Sequence, residues 1–66
     1  MRFRLYYNKA ERKWTLFFSG QSHIMSEIRI DVPVTTVLRQ SGPNPRAYVT
    51  GDASFISIKN GSAHVV

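Results

Sequence analysis

Arginine, lysine and aromatic side chains recur at every second position near the start of this chain. Arg2, Arg4 and Tyr6 alternate with Phe3, Leu5 and Tyr7, and Lys13, Thr15 and Phe17 alternate with Trp14, Leu16 and Phe18. A strand turns successive side chains to opposite faces, so cations and rings interleave on one face while the other is apolar. Rings on a sheet stack on unpaired bases at about 1–3 kcal/mol each, and neighbouring cations follow the phosphates. The residues expected to hold a single-stranded nucleic acid in this way are Arg2, Arg4, Tyr6, Lys13, Phe17 and Arg29, with Glu27 and Asp31 opposing it from the same face. The same rings also read as apolar surface that something must cover. On that alternative Phe17, Met25, Tyr48 and Phe55 form the interface of a homo-oligomeric structural or interaction module with no nucleic-acid role.

Other chemistries are poorly supplied. Ser57 and His64 fall opposite each other if Asn60-Gly61 closes a hairpin, which suggests a hydroxyl–imidazole pair. A nucleophilic serine also needs a group to orient the histidine and donors for the oxyanion. Asp52 sits at a distant turn, and Glu27 and Asp31 belong to another strand, so no catalytic site and no enzyme is expected. His23 and His64 are isolated, and the chain has no cysteine, so neither a metal nor another cofactor is expected. The loop Ser41-Gly42-Pro43-Asn44-Pro45 has one glycine, and its prolines remove amide donors that a phosphate cradle needs, although Arg39 and Arg46 flank it.

The elements that position these residues are strands. The first hairpin, Arg2 to Ser19, carries six of the eight aromatic side chains, and a four-residue turn at Lys9–Arg12 pairs Phe3 with Phe18, Leu5 with Leu16, and Tyr7 with Trp14. Next comes a strand from Ile24 to Val32. A three-residue Gly20-Gln21-Ser22 loop sets Phe18 against Ile24 and Trp14 against Ile28, joining apolar face to apolar face and leaving Met25 outside beside Phe17. Pro33 ends the ladder with a bend. Residues 34–40 read as a strand because Val34-Thr35-Thr36-Val37 is β-branched, while the spacing of Val34, Val37 and Leu38 also admits one short helical turn. The last third reads as a meander: Ala47 to Thr50, a Gly51-Asp52 turn, Ala53 to Lys59, an Asn60-Gly61 turn, and Ser62 to Val66. Its register sets Ile56 against Val65 and Ala47, Ile58 against Ala63, and Val49 against Ser54, with Tyr48, Phe55 and Val66 on the reverse.

Two three-stranded antiparallel meanders, each with one apolar face, predict a single all-β domain over residues 1–66, built as a small barrel or sandwich of SH3-like or OB-like form. A chain of 66 residues holds one modest core, burying about 60% of its unfolded surface. Small scaffolds draw on disulfides, metals or partner subunits, and without cysteine the available support is self-association. Nine Lys and Arg against four Asp and Glu give a net charge of +5, which favours anionic partners. No stretch approaches the about 20 apolar residues of a membrane span, and no apolar run of signal-peptide length precedes the first strand, so a cytoplasmic location is expected.

Overall fold

The computed structural model describes residues 1–39 and 46–66, and the expected loop over residues 41–45 lies outside them. The eight strands are β1 (Arg2–Asn8), β2 (Lys13–Phe18), β3 (Gln21–Met25), β4 (Glu27–Ile30), β5 (Val34–Arg39), β6 (Arg46–Asp52), β7 (Ile56–Lys59) and β8 (Ser62–Val65). They form a five-stranded sheet in the order β3-β2-β1-β6-β5 and a three-stranded sheet in the order β4-β8-β7. The fold is all-β, as expected, but the two sheets do not close into a barrel. Among the described residues no helix is long and apolar enough to cross a membrane.

The first hairpin has the expected register, with Phe3 opposite Phe18, Leu5 opposite Leu16 and Tyr7 opposite Trp14. Its turn is started by Asn8, whose Oδ1 accepts from the amides of Ala10 and Glu11, and it closes through Arg12 at φ 56°. This is the local bonding that makes asparagine a turn former.

The second turn corrects the sequence reading. It has two residues, Ser19 and Gly20, both at positive φ, and it sets Phe18 opposite Gln21, Thr15 opposite Ile24 and Trp14 opposite Met25. Paired positive φ values are what a primed hairpin turn needs, and Ser19 accepts one here. Relative to the expected three-residue loop this inverts the faces. Met25 becomes a core residue at 1% exposure, while Ile24 is 66% exposed on the outside. His23, expected in a loop, lies in β3 and stacks on Phe18 with ring centroids 5.2 Å apart.

The expected single strand from Ile24 to Val32 is divided at Ser26. The amides of Ser26 and Glu27 both donate to the Gly61 carbonyl, and the chain passes there from the large sheet to the small one. Two successive residues sharing one acceptor shift the alternation by one, as a bulge does. Odd-numbered Met25 and even-numbered Ile28 and Ile30 therefore all reach the same core.

Pro33 bends the chain as expected, and β5 follows as a strand, so the alternative of a helical turn near residues 34–40 is not taken over the described residues 34–39. The second meander is only half present. Asn60 and Gly61, at φ 44° and 80°, close the β7–β8 hairpin with Ile56 opposite Val65, Ser57 opposite His64 and Ile58 opposite Ala63. Gly51-Asp52, by contrast, is no turn. β6 runs through it and joins the large sheet between β1 and β5, placing Val49 opposite Leu5 and Thr36 rather than Ser54. β4 then pairs in parallel with β8.

The core is Phe3, Leu5, Leu16 and Met25 from the large sheet, Ala63 and Val65 from the small one, and Ala53 between β6 and β7. The amide of Ala53 donates to the Met1 carbonyl at 2.7 Å, and the terminal ammonium of Met1 donates to the Ala53 carbonyl at 2.6 Å, so the chain's start is strapped to this link. Gly51 sits where β1 and β6 meet the Pro33 bend, and a Cβ on it would lie 2.8 Å from the Pro33 carbonyl oxygen and 3.1 Å from the Phe3 ring.

This register is tested by paired substitutions in chemical denaturation. Met25→Ala opens a cavity and is expected to cost about 2–5 kcal/mol, whereas Ile24→Ala changes stability by about 0.5 kcal/mol or less. The reverse ranking would restore the three-residue loop. Gly51→Ala forces backbone and ring apart and is expected to cost about 1–3 kcal/mol; a neutral outcome would show that the crossing is looser than described.

Candidate functional site

The outer face of the large sheet is assembled by β2, β1 and β6 together. Cross-strand pairing sets Ile24, Thr15 and Tyr6 in one row and Ser22, Phe17, Arg4, Thr50 and Thr35 in the next. Tyr48 on β6, opposite Val37 on β5, extends the first row. The Tyr6 ring meets the Phe17 ring edge-on at 5.4 Å and lies tilted by 33° against the Tyr48 ring at 5.2 Å, and the Arg4 guanidinium lies over the Phe17 face at 5.5 Å. Edge-on packing of this kind is the favoured geometry of rings with opposed quadrupole faces and edges, and a cation over a ring face is attracted by the same quadrupole. The three rings are half-buried by one another. Thr50 is buried beside them, its hydroxyl donating to the Phe3 carbonyl at 2.7 Å and pinning β6 to β1.

Two shallow depressions border this row. One is lined by Arg2, Arg4, Phe17 and Gln21. The other is lined by Tyr6, Lys9, Thr15 and Arg46, where β1 and β6 run beyond their ladder of Arg2–Leu5 with Val49–Asp52. Lys13 is exposed in the register row beyond Thr15.

Of the six residues expected to bind nucleic acid, Arg2, Arg4, Tyr6, Lys13 and Phe17 share this face and Arg29 does not. The passage at Ser26 carries Arg29 to the small sheet, where its Nε is 3.1 Å from Asp31 Oδ2. Glu27 and Asp31 leave with it, so the carboxylates expected to oppose an anion are on the other sheet. Asp52, opposite Arg2, is the acidic side chain that β6 contributes to the large sheet.

Tyr48 and Arg46 join the site unexpectedly, because the pairing of β6 with β1 spans more than forty residues and leaves no local mark. Of the four residues proposed for an oligomer interface, Met25 is in the core and unavailable to a partner. Phe17 and Tyr48 belong to one cluster, while Phe55 is 61% exposed beside β8, with its amide and carbonyl bonded to Val66.

The small sheet brings Ser57, His64 and Asp31 together through its parallel pair, correcting the expectation that no carboxylate reaches His64. His64 Nε2 is 2.6 Å from Asp31 Oδ2. An ionised carboxylate only accepts, so Nε2 carries the proton. Ser57 is opposite His64 in register, yet among the described residues no hydrogen bond links the two. Asp31 is shared with Arg29, and the face is open sheet surface. The row acts as a clasp between β4 and β8.

The His64 hydrogen bond, with help from the Arg29 charge, holds the Asp31 carboxyl below its usual 3.8. A carboxyl lowered in the folded state stabilises the fold above the unfolded value, and that contribution is lost as pH falls through the folded one. Thermal melts of the native chain and Asp31→Asn are therefore expected to differ at neutral pH and to converge as pH drops below 3.8. A gap that stays constant through that range would show that the clasp contributes nothing through ionisation.

No family model matches the chain, and neither a curated protein nor a solved structure matches it.

Proposed function

We propose that the chain is a non-enzymatic module that binds single-stranded nucleic acid on the outer face of its large sheet. One observation carries the reading: Tyr6, Phe17 and Tyr48 form a contiguous aromatic cluster on strands, with Arg2, Arg4, Lys13 and Arg46 around it. Rings offer π-faces to any base without regard to sequence, and the surrounding cations follow the backbone. Arginine over a ring adds a planar surface on which a base also stacks. A net charge of +5 draws such a polymer from a distance. Removal of Glu27 and Asp31 to the other sheet favours phosphate approach here.

The test is titration of a labelled single-stranded oligonucleotide at several salt concentrations. Binding is expected to weaken with salt, with a slope of about 0.7 in log affinity per log salt for each phosphate contact. Arg4→Gln and Lys13→Gln should each lower that slope by about one such step. Tyr6→Ala should weaken binding by about 1–3 kcal/mol with the slope kept, as loss of one stacked base requires. Absence of binding at low salt, or binding indifferent to Tyr6 and Arg4, would overturn the proposal.

A further inference from the structure

β5 is the outermost strand of the large sheet, bonded to β6 along one edge, and among the described residues no strand pairs with its other edge. Exposed edges are ordinarily protected by charge, proline, bulges or shortness. β4 and β7 follow that rule, with four residues each and the charges of Glu27, Arg29 and Lys59, while β3 has five residues and is polar over Gln21–His23. β5 is the longest of these edge strands at six residues, and its run Val34-Thr35-Thr36-Val37-Leu38, between Pro33 and Arg39, is uncharged.

Among the described residues, the face beneath this strand is also open, the small sheet having three strands to the large one's five. Val34 and Leu38 are 47% and 55% exposed there, and Thr36 between them is exposed as well.

We infer that β5 is a self-association edge, and that a second copy of this chain pairs with it antiparallel about a two-fold axis at Thr36. Residues directly opposed in an antiparallel ladder point to the same face, so only a register that pairs odd with odd and even with even is allowed. Centring on Thr36 meets that condition and is self-complementary. Thr36 faces Thr36 of the other copy, Val34 faces Leu38, and Thr35 faces Val37. Apolar meets apolar on the exposed face, hydroxyl meets hydroxyl at the axis, and no like charges oppose each other within the ladder.

Isologous pairing uses up both outer β5 edges, so the assembly closes at two copies. The inference is independent of nucleic-acid binding, since Phe17 and Tyr6 take no part in it.

The experiment is a measurement of molar mass by sedimentation up to the highest soluble concentration, on the native chain and three variants. The native chain should approach twice 7.5 kDa. Thr36→Lys, which opposes two like charges at the axis, should give the mass of one chain with an unchanged circular dichroism spectrum. Phe17→Glu should leave the doubled mass intact. Thr36→Cys should form a covalent dimer under mild oxidation, because directly opposed Cα atoms lie about 4.5–5.5 Å apart. A native chain that stays single, one that grows beyond two copies, or a Thr36→Cys variant that fails to cross-link would each overturn the proposal. So would loss of the dimer in Phe17→Glu alone.

Discussion

The crossing at Gly51 is the constraint on which the large sheet depends. β6 must lie against β1 closely enough to complete its ladder, while the Pro33 bend delivers β5 to the far side of β6. A side chain at Gly51 would meet both the Pro33 carbonyl and the Phe3 ring. Phe3, at 1% exposure, is in turn one of the largest members of the core. The same position thus governs strand pairing on one side and core packing on the other. Thr50, the next residue back, locks the arrangement with a buried hydroxyl bond to the Phe3 carbonyl. An unpaired buried hydroxyl is costly, and this bond removes that cost while fixing β6 against β1.

Both candidate surfaces are consequences of that crossing. Once β6 is seated beside β1, Tyr48 comes within 5.2 Å of Tyr6, and an aromatic pair on one hairpin becomes a cluster across three strands. Once β5 is carried to the rim by β6, it forms the edge of the large sheet, with Val34 and Leu38 exposed. The first surface gathers cations around its rings, and the second is uncharged over Val34–Leu38. They lie on opposite faces of the same sheet.

The small sheet is organised differently. Its parallel pair joins segments distant in sequence, and the clasp of His64 with Asp31 and Arg29 spans that pair on the outside. The inside is apolar, with Ala63 and Val65 buried against the large sheet. Polar side chains at alternate positions therefore hold the strands laterally, while the residues between them supply the core. A serine, a histidine and an aspartate fall into line as a result, through sheet register rather than through any site that encloses a substrate.

The sequence by itself determined the features that local chemistry controls. The β-branched run Val34–Val37 favours its strand, and the Lys9–Arg12 turn and its hairpin register, the Asn60-Gly61 turn and the Pro33 bend all follow from backbone preferences within a few residues. So does the grouping of Arg4, Tyr6 and Phe17, because period-2 alternation sets the faces of a regular hairpin. What the tertiary structure alone decided is which segments lie side by side and where alternation is interrupted. Ser19 taking positive φ, and Ser26 sharing the Gly61 carbonyl with Glu27, each displace the alternation by a residue. Met25 moved to the core and Arg29 to the other sheet as a result. The seating of β6 against β1 and of β4 beside β8 rests on non-local bonds whose only local prerequisite is a strand, and many strands satisfy it. Burial of one shared core selects among them, and that selection belongs to the whole chain at once.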